Sequence, residues 1–218
     1  MTGLVVAIDG PAASGKGTLA TRIGAAFALP VLDTGLLYRA VGAALHAGGG
    51  DPDDPVAAGA AAQAVDPAHL SAEALSGGAV GELASRVAVH AGVRRALLDI
   101  QRAFARRPGG AVLDGRDIGT VICPEAPAKL FVYATPQVRA ERRWRQLIAR
   151  GETASLQTIL EDIRARDARD QGRVAAPLRP APDAALLDTT DLDIDAAFDA
   201  ARRIVEAARD RIGASKAP

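Results

Sequence analysis

Cysteine is almost missing from these 218 residues, and so are methionine and tryptophan, with one of each. A lone Cys123 excludes an internal disulfide framework and a multi-cysteine zinc site, which fits a reducing cytoplasm and the role of a small buried hydrophobe. The three histidines, His46, His69 and His90, are too dispersed to form a metal cluster and are expected at the surface. There is no excess of charge of either sign: twenty-six Lys and Arg balance twenty-six Asp and Glu, leaving no basic field for long nucleic acids. No apolar run approaches the length of a membrane span, and Asp9 interrupts the first apolar segment before it could serve as a signal peptide. A soluble, cytoplasmic protein with no membrane partner is expected.

Short apolar runs alternate with helical patterns along the chain, the mark of βα units around a parallel sheet. Strands are predicted at 4–8, 30–32, 111–113, 129–133 and 185–187, each apolar enough to be covered on both faces. Helices are predicted at 16–27, 35–46, 93–106, 136–150, 156–169 and 196–211, the fourth opened by Thr135 as N-cap and Pro136 in its first position. The fold class is therefore α/β, a five-stranded parallel sheet flanked by helices, in one domain over 1–218. Residues 48–78, with GGGDPDDP and AAGAAAQA, read as an insertion over the sheet, and 213–218 as a flexible tail. Trp144, among arginines on a helix, reads as a half-buried anchor in preference to a base-stacking platform.

The chemistry begins at GPAASGKGT. Gly10, Gly15 and Lys16 have the spacing of a phosphate loop between an apolar strand and a helix, where backbone N–H groups turn inward around phosphate oxygens. Lys16 reaches the outer phosphates as a point charge, aided by the helix amino terminus. The usual hydroxyl residue directly after the lysine is replaced by Gly17, with Thr18 one position later, an ending that resembles the nucleoside monophosphate kinases. In LDTGLLYRA, Thr34 and Arg39 stand at a strand end where they could hold an anionic group, although a polar helix start explains them about as well. In AVLDGRDIGT, Asp114 occupies the usual place of an outer-shell magnesium carboxylate, with Arg116 and Asp117 beyond it for a phosphate and a base donor. In RARDARDQGR, the spacing of Arg166, Arg169, Asp170 and Arg173 puts all four on one helical face. Alone, that face would be solvated; beside an anionic acceptor it can neutralise a phosphoryl group.

Together, GPAASGKGT, LDTGLLYR, ELASRVAVHAGVR, LDGRDIGTVICPEAPAKLF and RDARDQGRVAAPL resemble the bacterial cytidylate kinases, in order and over nearly the whole chain. The resemblance implies a P-loop kinase fold, with a short acceptor-binding insertion at 48–92 and a helical lid at 145–175. It implies transfer of the terminal phosphoryl of ATP to CMP or dCMP, with Mg²⁺ as cofactor. The ATP phosphates would lie on Gly10, Pro11, Ala12, Ala13, Ser14, Gly15, Lys16, Gly17 and Thr18, with Thr18 and, through water, Asp114 at the metal. Thr34, Arg39, Arg116 and Arg173 would surround the acceptor phosphate, Ser85, Arg94 and Asp117 would recognise cytosine, and Arg166 and Asp170 would sit near the phosphate and sugar. Lys16, Arg116, Arg166 and Arg173 would carry catalysis. Many members of that family have a longer insertion with a small antiparallel sheet, whereas 48–78 here is short and alanine-rich, which is expected to weaken CMP affinity more than base choice.

No general base is needed, because a phosphomonoester is mostly dianionic at neutral pH. The turn at Arg150, Gly151 and Glu152 is the natural lid tip. Partners are small nucleotides, and a monomer is expected. Two other readings stay open at this stage: a kinase acting on UMP, AMP or shikimate, and an ATP-binding switch that transfers nothing.

Overall fold

The computed structural model describes residues 3–75 and 77–214. β1 (Leu4–Asp9) leads into α1 (Lys16–Phe27), followed by β2 (Val31–Asp33) and α2 (Thr34–Ala47). Three helices then intervene, α3 (Pro55–Gln63), α4 (Gly78–Val87) and α5 (Ala91–Ala105), before β3 (Gly110–Gly115) and a short π-helical turn at Ile118–Ile122. β4 (Ala128–Tyr133), α6 (Pro136–Ala149), α7 (Leu156–Gln171), β5 (Ala185–Asp188) and α8 (Ile194–Ala214) complete the order.

The five strands form one parallel sheet in the order β2-β3-β1-β4-β5. β1 reverses its neighbours at the centre, with β3 on one side and β4 on the other, so the crevice at the carboxyl ends opens above it. Alternation along β1 feeds both faces: Val6 and Ile8 pack with α1 and α8, while Val5 and Ala7 pack with Leu113, Ile118 and Cys123. Each of these side chains is almost fully buried, as a doubly covered strand requires. Tucked inside, Cys123 has its thiol pushed up to about 11, chiefly by burial.

All five predicted strands and six predicted helices are present, with ends moved by a few residues. One further helix, α3, occupies the stretch 48–78 read as an insertion, and α4, which carries the ELAS residues, follows from Gly78. α3 is closed at its start by Asp54, whose side chain accepts from the N–H of Val56 and Ala57, with Pro55 in the first position. Ala58 and Ala62 pack with Leu37, Val41 and Leu97 of α2 and α5, so the insertion lies on helices and not on the sheet. The segment contains no strand among the described residues. At the other end, α8 extends two residues into the stretch expected as a tail, and 215–218 lie outside the described residues. His46 and His69 are exposed, and half-buried His90 bonds the carbonyl of Pro52. Trp144 is half-buried and donates to the carbonyl of Ala154 at 3.1 Å.

Candidate active site

β1 ends in a buried carboxylate. Asp9 accepts from the N–H of Ile118 and of Gly119, both at 2.7 Å, and so ties the phosphate loop's root to the turn after β3. Burial pushes its pKa up to about 7 against those two bonds. Gly10 follows with φ +150, and a Cβ there would lie 2.0 Å from the carbonyl oxygen of Val132, so the chain can turn at this point only without a side chain. α1 begins after Gly15 with no side-chain cap, which leaves its first N–H groups available to an anion.

Lys16 is buried at the loop's end, 3.6 Å from Asp114 Oδ1, an ion-pair distance too long for a hydrogen bond. Burial first, then the positive charge of Arg116, lowers its pKa to about 8, and Asp114 partly offsets both. Asp114 is itself buried and shifted upward by that burial, and its Oδ1 has no hydrogen-bond partner among the described residues.

Across the crevice, the side chains carried by β2, β3, α2, α4, α5 and α7 face Lys16. Arg94 pairs with Asp117. Arg116 donates from Nε to Asp170 Oδ2 at 3.1 Å, and Arg173 pairs with Asp170 Oδ1. Desolvation opposes ionisation of Asp170, but Arg116, Arg173 and Arg166 outweigh it and hold the carboxyl below its ordinary value. Arg166 is pushed down to about 10, first by burial and then by Arg116, and its Nε has no hydrogen-bond partner among the described residues. It is a desolvated cation beside other cations, an arrangement that a bound anion relieves.

One cleft is lined by Gly15, Lys16, Gly17, Thr18, Thr34, Arg39, Ser85, Arg94, Asp114, Arg116, Asp117, Arg166, Asp170 and Arg173. The sequence-predicted residues thus converge from six elements. Three details differ from expectation. Arg173 lies beyond the end of α7, after the cap residue Gly172, and reaches Asp170 from a loop, so the four residues do not share one helical face. Arg169 leaves the arginine cluster and turns to α4, donating to Ser85 Oγ at 2.8 Å and Glu82 Oε1 at 2.7 Å. The Thr34 hydroxyl donates its one proton to the carbonyl of Asp114 at 2.8 Å and must turn to reach an anion, whereas Arg39 engages one terminal nitrogen with the carbonyl of Leu75 at 3.2 Å.

A second recess on the β4 and β5 side of the loop is lined by Ala13, Ser14, Thr18, Arg142, Gln146 and the residues from Thr189 onward. The sequence reading missed its supports. Arg142 donates to Thr189 Oγ1 at 3.0 Å and to the Thr189 carbonyl at 2.5 Å, and the buried Thr189 hydroxyl bonds the carbonyl of Ser14 in the loop at 3.0 Å. Arg139, also buried, grips Asp167 with two bonds of 3.0 and 2.5 Å and touches the carbonyl of Ala12 at 3.3 Å, joining α6, α7 and the loop. Both arginines belong to a run of arginines on α6, and nothing in spacing separates them from solvated neighbours. Tyr38 of LDTGLLYRA also lines the first cleft, with its hydroxyl buried and without a hydrogen-bond partner among the described residues.

The family model described as cytidylate kinase matches residues 6–208. The chain is 63% identical over 206 residues to a cytidylate kinase of Xanthobacter autotrophicus, covering 94% of this chain and 99% of that one. It is 60% identical over 212 residues to a cytidylate kinase of a Caulobacter species, covering 97% and 98%. Among solved structures, an uncharacterized protein from Eubacterium ventriosum aligns over 94% of this chain and 99% of its own with TM-score 0.55 at 13% identity, a likeness of fold alone.

Proposed function

The chain belongs to the cytidylate kinase family, and from that membership we propose how its own residues divide the reaction. It is a nucleoside monophosphate kinase with a P-loop kinase fold, transferring the terminal phosphoryl group of ATP to CMP or dCMP and giving ADP and CDP or dCDP. The observation that carries the division of roles is the convergence of Lys16 with Arg39, Arg116, Arg166 and Arg173 on one cleft between the phosphate loop and the acceptor-side helices.

On this reading the loop from Gly10 to Thr18 holds the ATP phosphates by its N–H groups, and the adenosine occupies the recess bounded by Arg142 and Thr189. Ser85, Arg94 and Asp117 meet the cytosine, Asp170 the sugar, and Thr34, Arg39, Arg116, Arg166 and Arg173 the acceptor phosphate. A phosphate oxygen of CMP, dianionic near neutral pH, forms the new bond to the γ-phosphorus. The bond from that phosphorus to its bridging oxygen breaks, and ADP leaves with the electron pair. No side chain needs to remove a proton. Lys16 and the arginines oppose the repulsion between two polyanions and hold them in line.

The residues also fit magnesium. Three or more His, Cys, Asp or Glu side chains grouped as a cage are absent among the described residues, as suits an ion bound largely by phosphates and water. Thr18 offers a hydroxyl, and Asp114 a buried oxygen, ion-paired with Lys16 but free of hydrogen bonds among the described residues, for a bridging water. When bound, the ion would supply charge neutralisation to the donor phosphates.

The lid is assigned to residues 145–175, with its tip at Gly151, whose φ of +76 allows the tight turn between α6 and α7. The acceptor-binding insertion is assigned to 48–92, and its brevity is proposed to raise the KM for CMP relative to long-insert enzymes without shifting base choice. A monomer in the cytoplasm, serving pyrimidine nucleotide metabolism, completes the proposal; the single thiol is buried and free, as suits a reducing compartment. Among the described residues no helix is long and apolar enough to cross a membrane. An ADP-release assay over CMP, dCMP, UMP and AMP tests the reading. Turnover should follow the cytidine nucleotides, and preference for UMP or AMP, or ADP release independent of acceptor, would overturn it.

A further inference from the structure

Arg139 lines neither the cleft nor the second recess, yet it is 3% exposed and every nitrogen of its guanidinium is engaged. Nε donates to the carbonyl of Ala134 at 2.9 Å, just past the end of β4, which ties the head group to the sheet. Nη1 also reaches the carbonyl of Ala12 in the phosphate loop at 3.3 Å. The two terminal nitrogens together take the Asp167 carboxylate of α7, at 3.0 and 2.5 Å. A planar fork on a carboxylate fixes orientation as well as distance. Asp167 lies between Arg166 and Asp170 on the same helix, so whatever holds Asp167 holds the backbone that carries both.

The loop is held just as closely. A planar peptide sets its N–H opposite its C=O, so drawing the Ala12 carbonyl toward Arg139 turns the Ala13 N–H away from it. Ala13 has φ +59, uncommon for a residue with a Cβ, and it packs against the cluster of Ala140, Leu147, Ile159 and Ile163 from α6 and α7. Two adjacent loop residues therefore meet these helices, one through a carbonyl and one through a methyl.

We propose that Arg139 is a positioning residue for phosphoryl transfer: through Asp167 it fixes α7 to the phosphate loop and so sets where Arg166 and Asp170 stand relative to Lys16. The inference rests on the assignment of the loop to the ATP phosphates and of Arg166 to the acceptor phosphate. It adds that the spacing between the two is set by an ion pair outside both recesses. With the pair broken, each nucleotide still finds its own side chains, but the reacting groups are no longer held in line. A misplacement of about 1 Å caused far from the chemistry can cost about 100-fold in rate.

The test measures the single-turnover rate of transfer and the KM for ATP and for CMP in Asp167→Asn, Arg139→Lys and the double variant. Asp167→Asn keeps the size of the side chain and leaves Arg139 its bonds to Ala12 and Ala134. The rate should fall about tenfold or more while both KM values stay within about threefold. Arg139→Lys, which keeps the charge without the fork, should slow transfer to a similar extent. The double variant should be within about twofold of the slower single one, because the two side chains act as a unit. Trp144, the only tryptophan, packs against the same α6 and α7 cluster, and an unshifted emission maximum identifies the variants in which that packing is intact. Arg139→Lys decides the question should Asp167→Asn fail to fold. A wild-type transfer rate in the deciding variant overturns the inference, and so do effects that multiply in the double variant. A KM that rises by more than the rate falls also overturns it, since the pair would then serve binding. Wild-type enzyme that transfers nothing to CMP would instead overturn the assignment of the cleft.

Discussion

Replacing Asp170 with asparagine withdraws one negative charge from the middle of three guanidiniums while leaving the shape of the site nearly unchanged. The carboxylate is 1% exposed, 3.1 Å from Arg116 Nε and paired also with Arg173, whose side chain is 5% exposed. Removing one partner of a buried ion pair costs about 3–5 kcal/mol, because the remaining charge stays buried without its counter-charge. At about 2–4 °C per kcal/mol for a chain of this size, Tm should fall by roughly 6–20 °C at pH 7. Inorganic phosphate restores the missing negative charge, so millimolar phosphate should raise the variant's Tm by more than it raises the wild type's. Scanning fluorimetry reads both. Because Asp170 has a folded pKa held below its ordinary 3.8, its contribution is present above that value and is lost as pH falls through the lower, folded one. The gap in Tm between the two proteins should therefore close as the pH is taken from 5 to below 3. A variant with wild-type Tm at pH 7, or an equal phosphate response in both proteins, refutes the view that Asp170 keeps the arginines together.

Lys16→Met should lower kcat by at least about 10²-fold, the scale of losing one electrostatic contact to a transition state, and near-normal turnover in a steady-state assay would remove Lys16 from the reaction. Thr189→Val should raise the KM for ATP several-fold and leave that for CMP alone, because its hydroxyl ties the carbonyls of Ser14 and Tyr133 beside the recess proposed for adenosine; Thr189→Ser should restore it. Cys123, buried and with its thiol pushed up to about 11, should resist alkylation in the native enzyme at pH 8 and react fully in denaturant, as mass spectrometry would show.

The sheet was legible because its strands are short, apolar and followed by the signals that end them. Asp9, Asp33 and Asp114 close three of the runs, and all stand at the carboxyl edge. The helices of the insertion were less so. α3 is alanine-rich nearly all round, so it has no apolar stripe to detect, although Asp54 before Pro55 carried a readable start signal. The cleft residues were found where a motif surrounds them, and the structure brings those side chains together. Where it departs, the cause is three-dimensional. Gly172 ends α7 and releases Arg173 from helical periodicity, Arg169 is captured by an acid and a serine some 84 residues away in sequence, and Arg139 and Arg142 are distinguished from Arg143 and Arg145 only by what lies opposite them.

The cleft wall between β2 and β3 is one continuous excursion of the chain. α2, α3, α4 and α5 leave the sheet at Asp33 and return at Gly110, and the two strands they join are hydrogen-bonded neighbours, with Asp33 beside Asp114. The helices pack into a cluster of their own, built on Leu37, Val41, Val87, Val93 and Leu97. Length added to or removed from this excursion changes closure entropy only slowly, and it displaces no strand. Evolution can therefore lengthen or trim this excursion without moving the strands that carry the Lys16 loop and Asp114.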